Sequence, residues 1–431
     1  MKAIVEGTIK VAKSLIPKEI LNEYTYLSPS YDGMPTTVLN YYETDTEYWF
    51  PRNLHKFKAL SNLKLDYNLT EGSPIELEFN DWFDLYPHQY KVHDYIIGHF
   101  KSDINCLVQA PTRFGKAAVA IGVIKSLKVK TLILVDKTLL VEQFIEDGRS
   151  YSTVDIGKLE KGKPLNDVTV TTFQFLNKNL ELLKEIKESF GLVIVDELHV
   201  SAAVTYKRII NSFPSRYRLG LTATPSRSSD NLTGVLYDLF GTVAIKGVNP
   251  NDMEVQWYNY KLPLHYKPST YNPAKSYNEY FLKEEVTMKI MELIDKYKDK
   301  TIMIATNSKL IQNHYTELSK ELGLTTCVFN SDAINKKVQS ENLEKVKDGT
   351  ITLFSGLNVL LKGISIPKLE VVINLMSIGS EENLTQLLGR LKTKYEGKTS
   401  PLFINVTGKF GSYKTERKYI RNYMSTTRSS P

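Results

Sequence analysis

Cysteine is nearly absent: the 431 residues contain two, Cys106 and Cys327, far apart in the chain. That excludes a disulfide scaffold and a Cys-rich zinc site, and it fits a reducing compartment. The seven histidines show no metal-ligand spacing. No apolar run is long enough to span a bilayer. The first twenty residues interrupt their apolar positions with acids and lysines, so they lack the unbroken core of a secretion signal. What remains is the composition of a soluble globular protein, with 42% hydrophobic and 24% charged residues. The chain is too long for one ordinary core, so two or three domains are expected.

The net charge is +7 and unevenly spread. From Leu391 onward nine Lys and Arg face only Glu396 and Glu416, so the excess sits in a basic tail. Such a tail attracts phosphates; it is also what a solvated terminus looks like. From about residue 85, short β-rich runs at 105–109, 131–135, 168–171, 192–195 and 218–221 alternate with helix-like stretches at 116–127, 139–148 and 175–189. Apolar strands that do not alternate, separated by helices, predict a parallel sheet covered on both faces. Residues 247–275, rich in Pro, Asn and Tyr, read as a connector. A second series follows, with strands at 301–305, 325–329, 351–354, 371–375 and 402–406, and helices at 277–297, 309–322 and 336–347. The expected division is a Tyr-rich accessory module at 1–80, a candidate DNA-binding element; a first lobe at 81–247; a connector at 248–276; and a second lobe with the tail at 277–431.

Four short segments carry chemistry. Ala110-Pro111-Thr112-Arg113-Phe114-Gly115-Lys116-Ala117 follows a strand and opens a helix. There, backbone N–H groups and a helix N-terminus can face phosphates and Lys116 can reach their oxygens. Gly115 permits close approach of the backbone. The apolar strand ending in Asp196-Glu197 puts two carboxylates at the C-terminal edge of a parallel sheet. Asp196 can hold Mg²⁺ there, and Glu197 can polarise an attacking water. Thr222 and Thr224, at another strand end, are placed to relay hydrogen bonds. Arg390, preceded by Gln386, can neutralise transition-state charge on a γ-phosphate. Taken singly, each has a plain alternative: a strand-turn-helix, a solvated acid pair, a polar turn, an exposed helix Arg. Their order argues otherwise, since the acid pair follows the phosphate loop within one lobe.

The ordered set resembles the superfamily 2 helicases, in the group whose second motif reads Asp-Glu-x-His, over residues 85–406. By that resemblance the fold is α/β, two tandem RecA-like lobes of the P-loop NTPase type, and the cofactors are ATP and Mg²⁺. Gln89, in Leu85-Tyr86-Pro87-His88-Gln89, is implied as the adenine contact, and residues 110–117 as motif I. Lys137, Thr138 and Gln143 fall in motif Ia and Thr172 and Gln174 in motif Ib. Asn307 falls in motif IV, and Ser355 and Asn358 in motif V; all are implied contacts to nucleic acid. His199, Thr222, Thr224 and Gly363 are implied to couple ATP turnover to movement. ATP is implied to sit with Lys116, Asp196 and Glu197 on one side and Arg390 on the other.

Three departures stand out. Ala117 replaces the hydroxyl residue that ligates Mg²⁺, Thr393 replaces a second motif VI arginine, and motif V carries Lys362 and Ser365 where an acid is usual. The outline is similar to the compact phage branch-migration helicases of the UvsW type. That implies a monomer acting on branched DNA (forks, displacement loops, four-way junctions or single-strand/duplex junctions) in recombination, repair and replication restart, with 3′→5′ movement. It implies the cytoplasm, a bacterial host's if the chain is phage-encoded, and no membrane partner. Binding is expected to ignore base sequence and to weaken steeply with salt. An RNA helicase on the same fold and a clamp that binds without turnover are the alternatives.

Overall fold

The computed structural model describes residues 2–29, 34–111, 114–198, 204–225, 231–248, 253–262, 272–329, 336–356, 366–376, 381–398 and 400–406. The chain forms two compact units, Met1–Asn249 and Pro250–Pro431.

The first unit begins with a small sheet. Strands β1 (Lys2–Val5), β2 (Ile9–Ala12), β5 (Tyr42–Glu43), β6 (Glu47–Phe50) and β7 (Lys64–Tyr67) pair in the order β5-β6-β2-β1-β7; β3 (Thr25–Ser28) and β4 (Thr36–Leu39) form a separate hairpin. Strand β1 reads outside-in with period two, burying Ala3 and Val5 and exposing Lys2 and Ile4. Helix α1 (Leu54–Leu60) starts where the Asn53 side chain accepts the Lys56 N–H at 3.0 Å, and packs Phe57 onto Phe50 and Tyr24.

The larger sheet holds seven strands: β8 (Asn105–Gln109), β9 (Thr131–Val135), β10 (Ile156–Lys158), β11 (Val168–Thr172), β12 (Leu192–Asp196), β13 (Tyr217–Thr222) and β14 (Val243–Lys246). All pairs are parallel, in the order β10-β11-β9-β12-β13-β8-β14. The central strands are buried on both faces, which is why they are apolar without alternation. Helices α2 (Pro87–His99), α3 (Lys116–Leu127), α4 (Thr138–Tyr151), α5 (Phe173–Lys178), α6 (Leu180–Ile186), α7 (Val204–Ser212) and α8 (Thr233–Phe240) link or flank them. The single helix expected at 175–189 is two. The chain breaks at Asn179 (φ −128°, ψ 60°), whose amide donates back to the Phe175 carbonyl.

The small module is locked onto this sheet through buried polar groups. Arg52, wholly buried, donates to the Asn105 side chain at 3.2 Å and to the Ser215 carbonyl. Arg218 donates to the carbonyls of Gly7 and Ile210, each at 3.0 Å. Asp238 on α8 accepts from Tyr26 (2.6 Å), Asn40 (2.8 Å) and Lys56 (2.8 Å). Gly7 has no substitute: a Cβ there would lie 2.1 Å from the Asn211 carbonyl oxygen.

The second unit repeats the architecture in six strands: β15 (Gln256–Asn259), β16 (Thr301–Ala305), β17 (Thr326–Phe329), β18 (Leu353–Gly356), β19 (Leu369–Asn374) and β20 (Leu402–Asn405), all parallel in the order β15-β20-β19-β16-β18-β17. Helices α9 (Pro273–Phe281), α10 (Glu284–Lys296), α11 (Lys309–Glu321), α12 (Lys336–Asp348) and α13 (Glu381–Leu391) accompany them. Two expectations change. The stretch read as a connector contains β15, an edge strand held by Trp257 against Phe403 at 4.4 Å between ring centroids. The helix expected at 277–297 is α9 and α10, separated at Leu282 and Lys283. Burial pushes the thiols of Cys106 and Cys327 up to about 12, so both are inert core residues. No described helix is long and apolar enough to cross a membrane.

Candidate nucleotide site and nucleic-acid face

The candidate nucleotide site gathers at the C-terminal ends of three adjacent strands, β8, β13 and β12. Ala110 follows β8 and is fixed by its N–H to the Thr222 carbonyl (2.8 Å) at the end of β13. The chain then reaches Gly115, which caps α3 in the left-handed region (φ 85°). A Cβ at Gly115 would come within 2.2 Å of Gln89 Nε2, so both torsion and space require glycine. Thr112 and Arg113 lie outside the described residues. Pro111 and Phe114 bracket them, with the Phe114 N–H on the Pro111 carbonyl at 3.2 Å and the Phe114 ring buried.

Lys116 opens α3 and turns to the two acids. Its Nζ is 2.9 Å from Glu197 Oε1 and 3.8 Å from Asp196 Oδ1. Asp196 and Glu197 are only 7% and 8% exposed. Burial works against the Lys116 charge, but Glu197 and then Asp196 more than offset it and hold the ammonium above the ordinary lysine value. Glu197 itself has φ 53°, a conformation few non-glycine residues adopt. It turns the chain so that two successive carboxylates meet one lysine. The Thr222 hydroxyl donates to the Thr224 carbonyl and accepts the Thr224 N–H, both at 3.2 Å, which fixes the turn beside the acids. His199 lies outside the described residues. Ala117 sits half-buried in the first turn of α3, with no hydroxyl to offer.

Gln89 is already committed. Its Oε1 accepts the Tyr86 N–H (2.9 Å) to cap α2, and its Nε2 donates to the Phe114 carbonyl (2.9 Å). It thereby braces the loop that leads into α3.

The residues expected on nucleic acid continue along the same sheet edge, at β9 and β11, beyond β12. Lys137 and Thr138 begin α4 after β9, with Thr138 and Gln143 exposed. Thr172 uses its hydroxyl to cap α5, accepting the Phe175 N–H at 3.1 Å. Gln174 is exposed and donates to Tyr206 (2.6 Å) and to Asp136 (3.2 Å). Tyr206 also donates to Asp136 at 3.2 Å and stacks on Phe173. Burial and then Asp136 push its hydroxyl up to about 12. Sequence reading missed Tyr206 and Asp136. Only the lateral order of the strands brings them to Gln174.

In the second unit Asn307 is exposed just past β16, next to the Ser308 that caps α11. Ser355 is buried in β18, where its hydroxyl donates to the Ile304 carbonyl at 3.2 Å. Asn358 and Gly363 lie outside the described residues, as do Lys362, Ser365 and the tail beyond residue 406. Gln386 is on α13, with its side chain outside the described set. Arg390, also on α13, is 4% exposed, and burial pushes its guanidinium down to about 9. Thr393 donates to the Arg390 carbonyl at 3.0 Å, and Lys398 to the Leu391 carbonyl at 2.7 Å, so these residues close the helix C-terminus.

Residues 83–227 match the family described as type III restriction enzyme, res subunit, and residues 283–392 match the helicase conserved C-terminal domain. Among relatives, "Probable helicase D10" of Escherichia phage T5 is 25% identical over 317 residues, covering 72% of this chain and 69% of the relative. "DNA 3'-5' translocase XPB2" of Sulfurisphaera tokodaii is 24% identical over 414 residues, covering 85% of this chain and 91% of the relative. A solved HsdR-subunit fragment of a type I restriction enzyme from Vibrio vulnificus YJ016 shares the fold, with TM-score 0.58, 17% identity, and coverage of 76% of this chain and 65% of that one. With two RecA-like lobes, both domain matches in order and helicases among its relatives, the chain is a helicase of superfamily 2, an ATP-hydrolysing enzyme.

Proposed function

We propose that this helicase is a DNA translocase that moves 3′→5′ on branched DNA or single-strand/duplex junctions without reading base sequence. The observation that carries the motor reading is the convergence of Lys116, Asp196 and Glu197 at one strand edge. The name of the Sulfurisphaera tokodaii relative supports the polarity and the DNA substrate. The outline shared with UvsW-type helicases supports the branched substrate and roles in recombination, repair and replication restart.

The Lys116–Glu197 pairing supports a division of roles among the chain's own groups. Phosphate oxygens would compete with Glu197 for the Lys116 ammonium. Releasing Glu197 leaves a carboxylate beside the phosphates that can orient a water and take its proton. Mg²⁺ fits the donor set, because one or two carboxylates plus substrate phosphates suffice for it; Asp196 would hold it, and it supplies neutralising charge on the phosphate oxygens. Ala117 would contribute no oxygen to it. By the resemblance to superfamily 2 helicases, Arg390 has the charge-neutralising role and Thr222 and Thr224 the relaying one. Lys137, Thr138, Gln143, Thr172, Gln174 and Asn307 hold the nucleic-acid backbone.

The test is ATP hydrolysis with no nucleic acid, single strand, duplex, RNA, fork and four-way junction, for the natural chain and Ala117→Ser. Strong stimulation by forks and junctions is expected. Stimulation by RNA alone would replace DNA as the substrate. No turnover by either protein on any substrate would leave a clamp.

A further inference from the structure

The first unit has a second cleft, of about 390 Å³, between the small N-terminal sheet and helices α6 and α7. It is lined by Lys10, Lys184, Lys187 and Arg208 against the single acid Glu6, together with the rings of Trp49 and Tyr42. Its size is at the small end of ligand-holding clefts (about 300–1,000 Å³). It is not the nucleotide site. Asn211 and Pro214, which line it, precede β13, whose first residue is Tyr217; Thr222 of the nucleotide site ends the same strand. A six-residue strand is about 20 Å long, so the two lie at opposite edges of the sheet.

The cations are unequally engaged. Lys10 is paired with Glu6 and lies over the Trp49 ring, 4.9 Å from its centroid. Lys184 and Lys187 pair with neighbours on their own helix stretch, Glu181 at 2.9 Å and Glu188 at 3.4 Å, and Lys187 also lies in the field of Glu6. Exposed pairs of this kind are worth little and are given up readily to a stronger anion. Arg208 is exposed on α7. Two further lining groups, the Tyr42 hydroxyl and the Asn211 side chain, are buried side by side and interact with each other.

We infer that this cleft binds a segment of single-stranded nucleic acid, with phosphates on Lys184, Lys187 and Arg208 and a base against the Trp49–Tyr42 wall. Clustered cations select a polyanion. An aromatic wall in a cleft this narrow selects unpaired bases, which a duplex cannot present. The N-terminal module, a candidate DNA-binding element from its sequence, then acquires a defined site. Together with α6 and α7 it makes a second hold on the displaced or tracked strand, away from the motor face. The inference rests on the helicase reading only for the identity of the polyanion.

The test uses full-length protein and a labelled oligo-dT of twenty nucleotides. Lys184→Glu with Arg208→Glu reverses two exposed charges, and hydrolysis of ATP without nucleic acid reports that the motor is intact. The expected result is an affinity about tenfold or more weaker at 0.1 M salt. The slope of log affinity against log salt should be shallower by about 1.4, two contacts at about 0.7 each. A second readout is site-specific: in Trp82→Phe/Trp257→Phe protein, Trp49 alone emits, and oligo-dT should quench it whereas inorganic phosphate should not. Unchanged affinity and slope with intact basal turnover, or no Trp49 response on saturation with oligo-dT, overturns the cleft and leaves the helicase reading standing. Quenching by phosphate alone makes it a small-anion site and overturns it too. Failure of the unaltered chain to bind any nucleic acid removes both.

Discussion

Lys116→Ala separates the structural from the catalytic part of the phosphate-loop lysine. Lys116 neutralises two carboxylates, at 2.9 and 3.8 Å, and its side chain is 12% exposed. Removing one member of a buried pair costs about 3–5 kcal/mol, because the remaining charge loses the partner it was desolvated with. The residual exposure puts this site at the low end, about 3 kcal/mol. The pH dependence follows from the sign of the shift. Lys116 is a base raised by its partners, although burial opposes it. Its contribution is therefore complete below the unfolded lysine value of about 10.4 and fades only as pH climbs through the higher folded value. In the variant, two adjacent buried carboxylates are left, which favours proton uptake. The loss should be full at pH 8 and shrink as pH falls towards 5. Urea unfolding of the first unit, followed through Trp49 and Trp82, measures it at both values; ATP turnover should vanish at either. A loss below about 1 kcal/mol, or one equal at both pH values, would show that water screens the acids and that the buried triad does not exist in solution.

Gly115→Ala should weaken ATP binding tenfold or more, since the Cβ meets Gln89 Nε2 at 2.2 Å and the residue must hold φ 85°; calorimetric titration with ATP checks this. Tyr206→Phe keeps the stack on Phe173 but deletes the bonds to Gln174 and Asp136. Stability should fall by about 1 kcal/mol, basal turnover should stay, and stimulation by nucleic acid should drop several-fold. Asp238→Ala strips Tyr26, Asn40 and Lys56 of their common acceptor. The N-terminal module should become the first segment cut in limited proteolysis, and an unchanged digestion pattern would refute its role as the docking anchor. Ser355→Ala should leave nucleic-acid affinity unaltered, because its hydroxyl serves the Ile304 carbonyl inside the sheet.

The strands at 105–109, 131–135 and 301–305 were legible to the residue, because strands buried on both faces must be short, apolar and β-branched-rich whatever surrounds them. The phosphate loop was legible for a similar local reason: a strand, a left-handed glycine and a helix beginning at lysine form one continuous segment. Helix breaks were not legible. Asn179 and the Leu282–Lys283 pair interrupt apolar patterns that run on with helical spacing; at Asn179 the side-chain amide takes the Phe175 carbonyl, a choice the spacing does not encode. Strand β15 hid in a Pro- and Tyr-rich stretch because an edge strand is stabilised by its one neighbour, here through Trp257 on Phe403, more than by its own residues.

The sequence by itself determined the class of the protein, through the order of the phosphate loop, the acid pair, the threonine turn and the late arginine, since those motifs are local and chemistry fixes their residue types. Only the tertiary structure decided what such residues touch. It tied Gln89 to the loop and buried Ser355, and it brought Tyr206 and Asp136 to Gln174. It also set Lys184 and Arg208 across a cleft from Trp49, more than 130 residues earlier in the chain. The physical reason is the same throughout. Hydrogen bonds, desolvation and charge pairing depend on distance in space, and strand order, which no local pattern encodes, sets those distances.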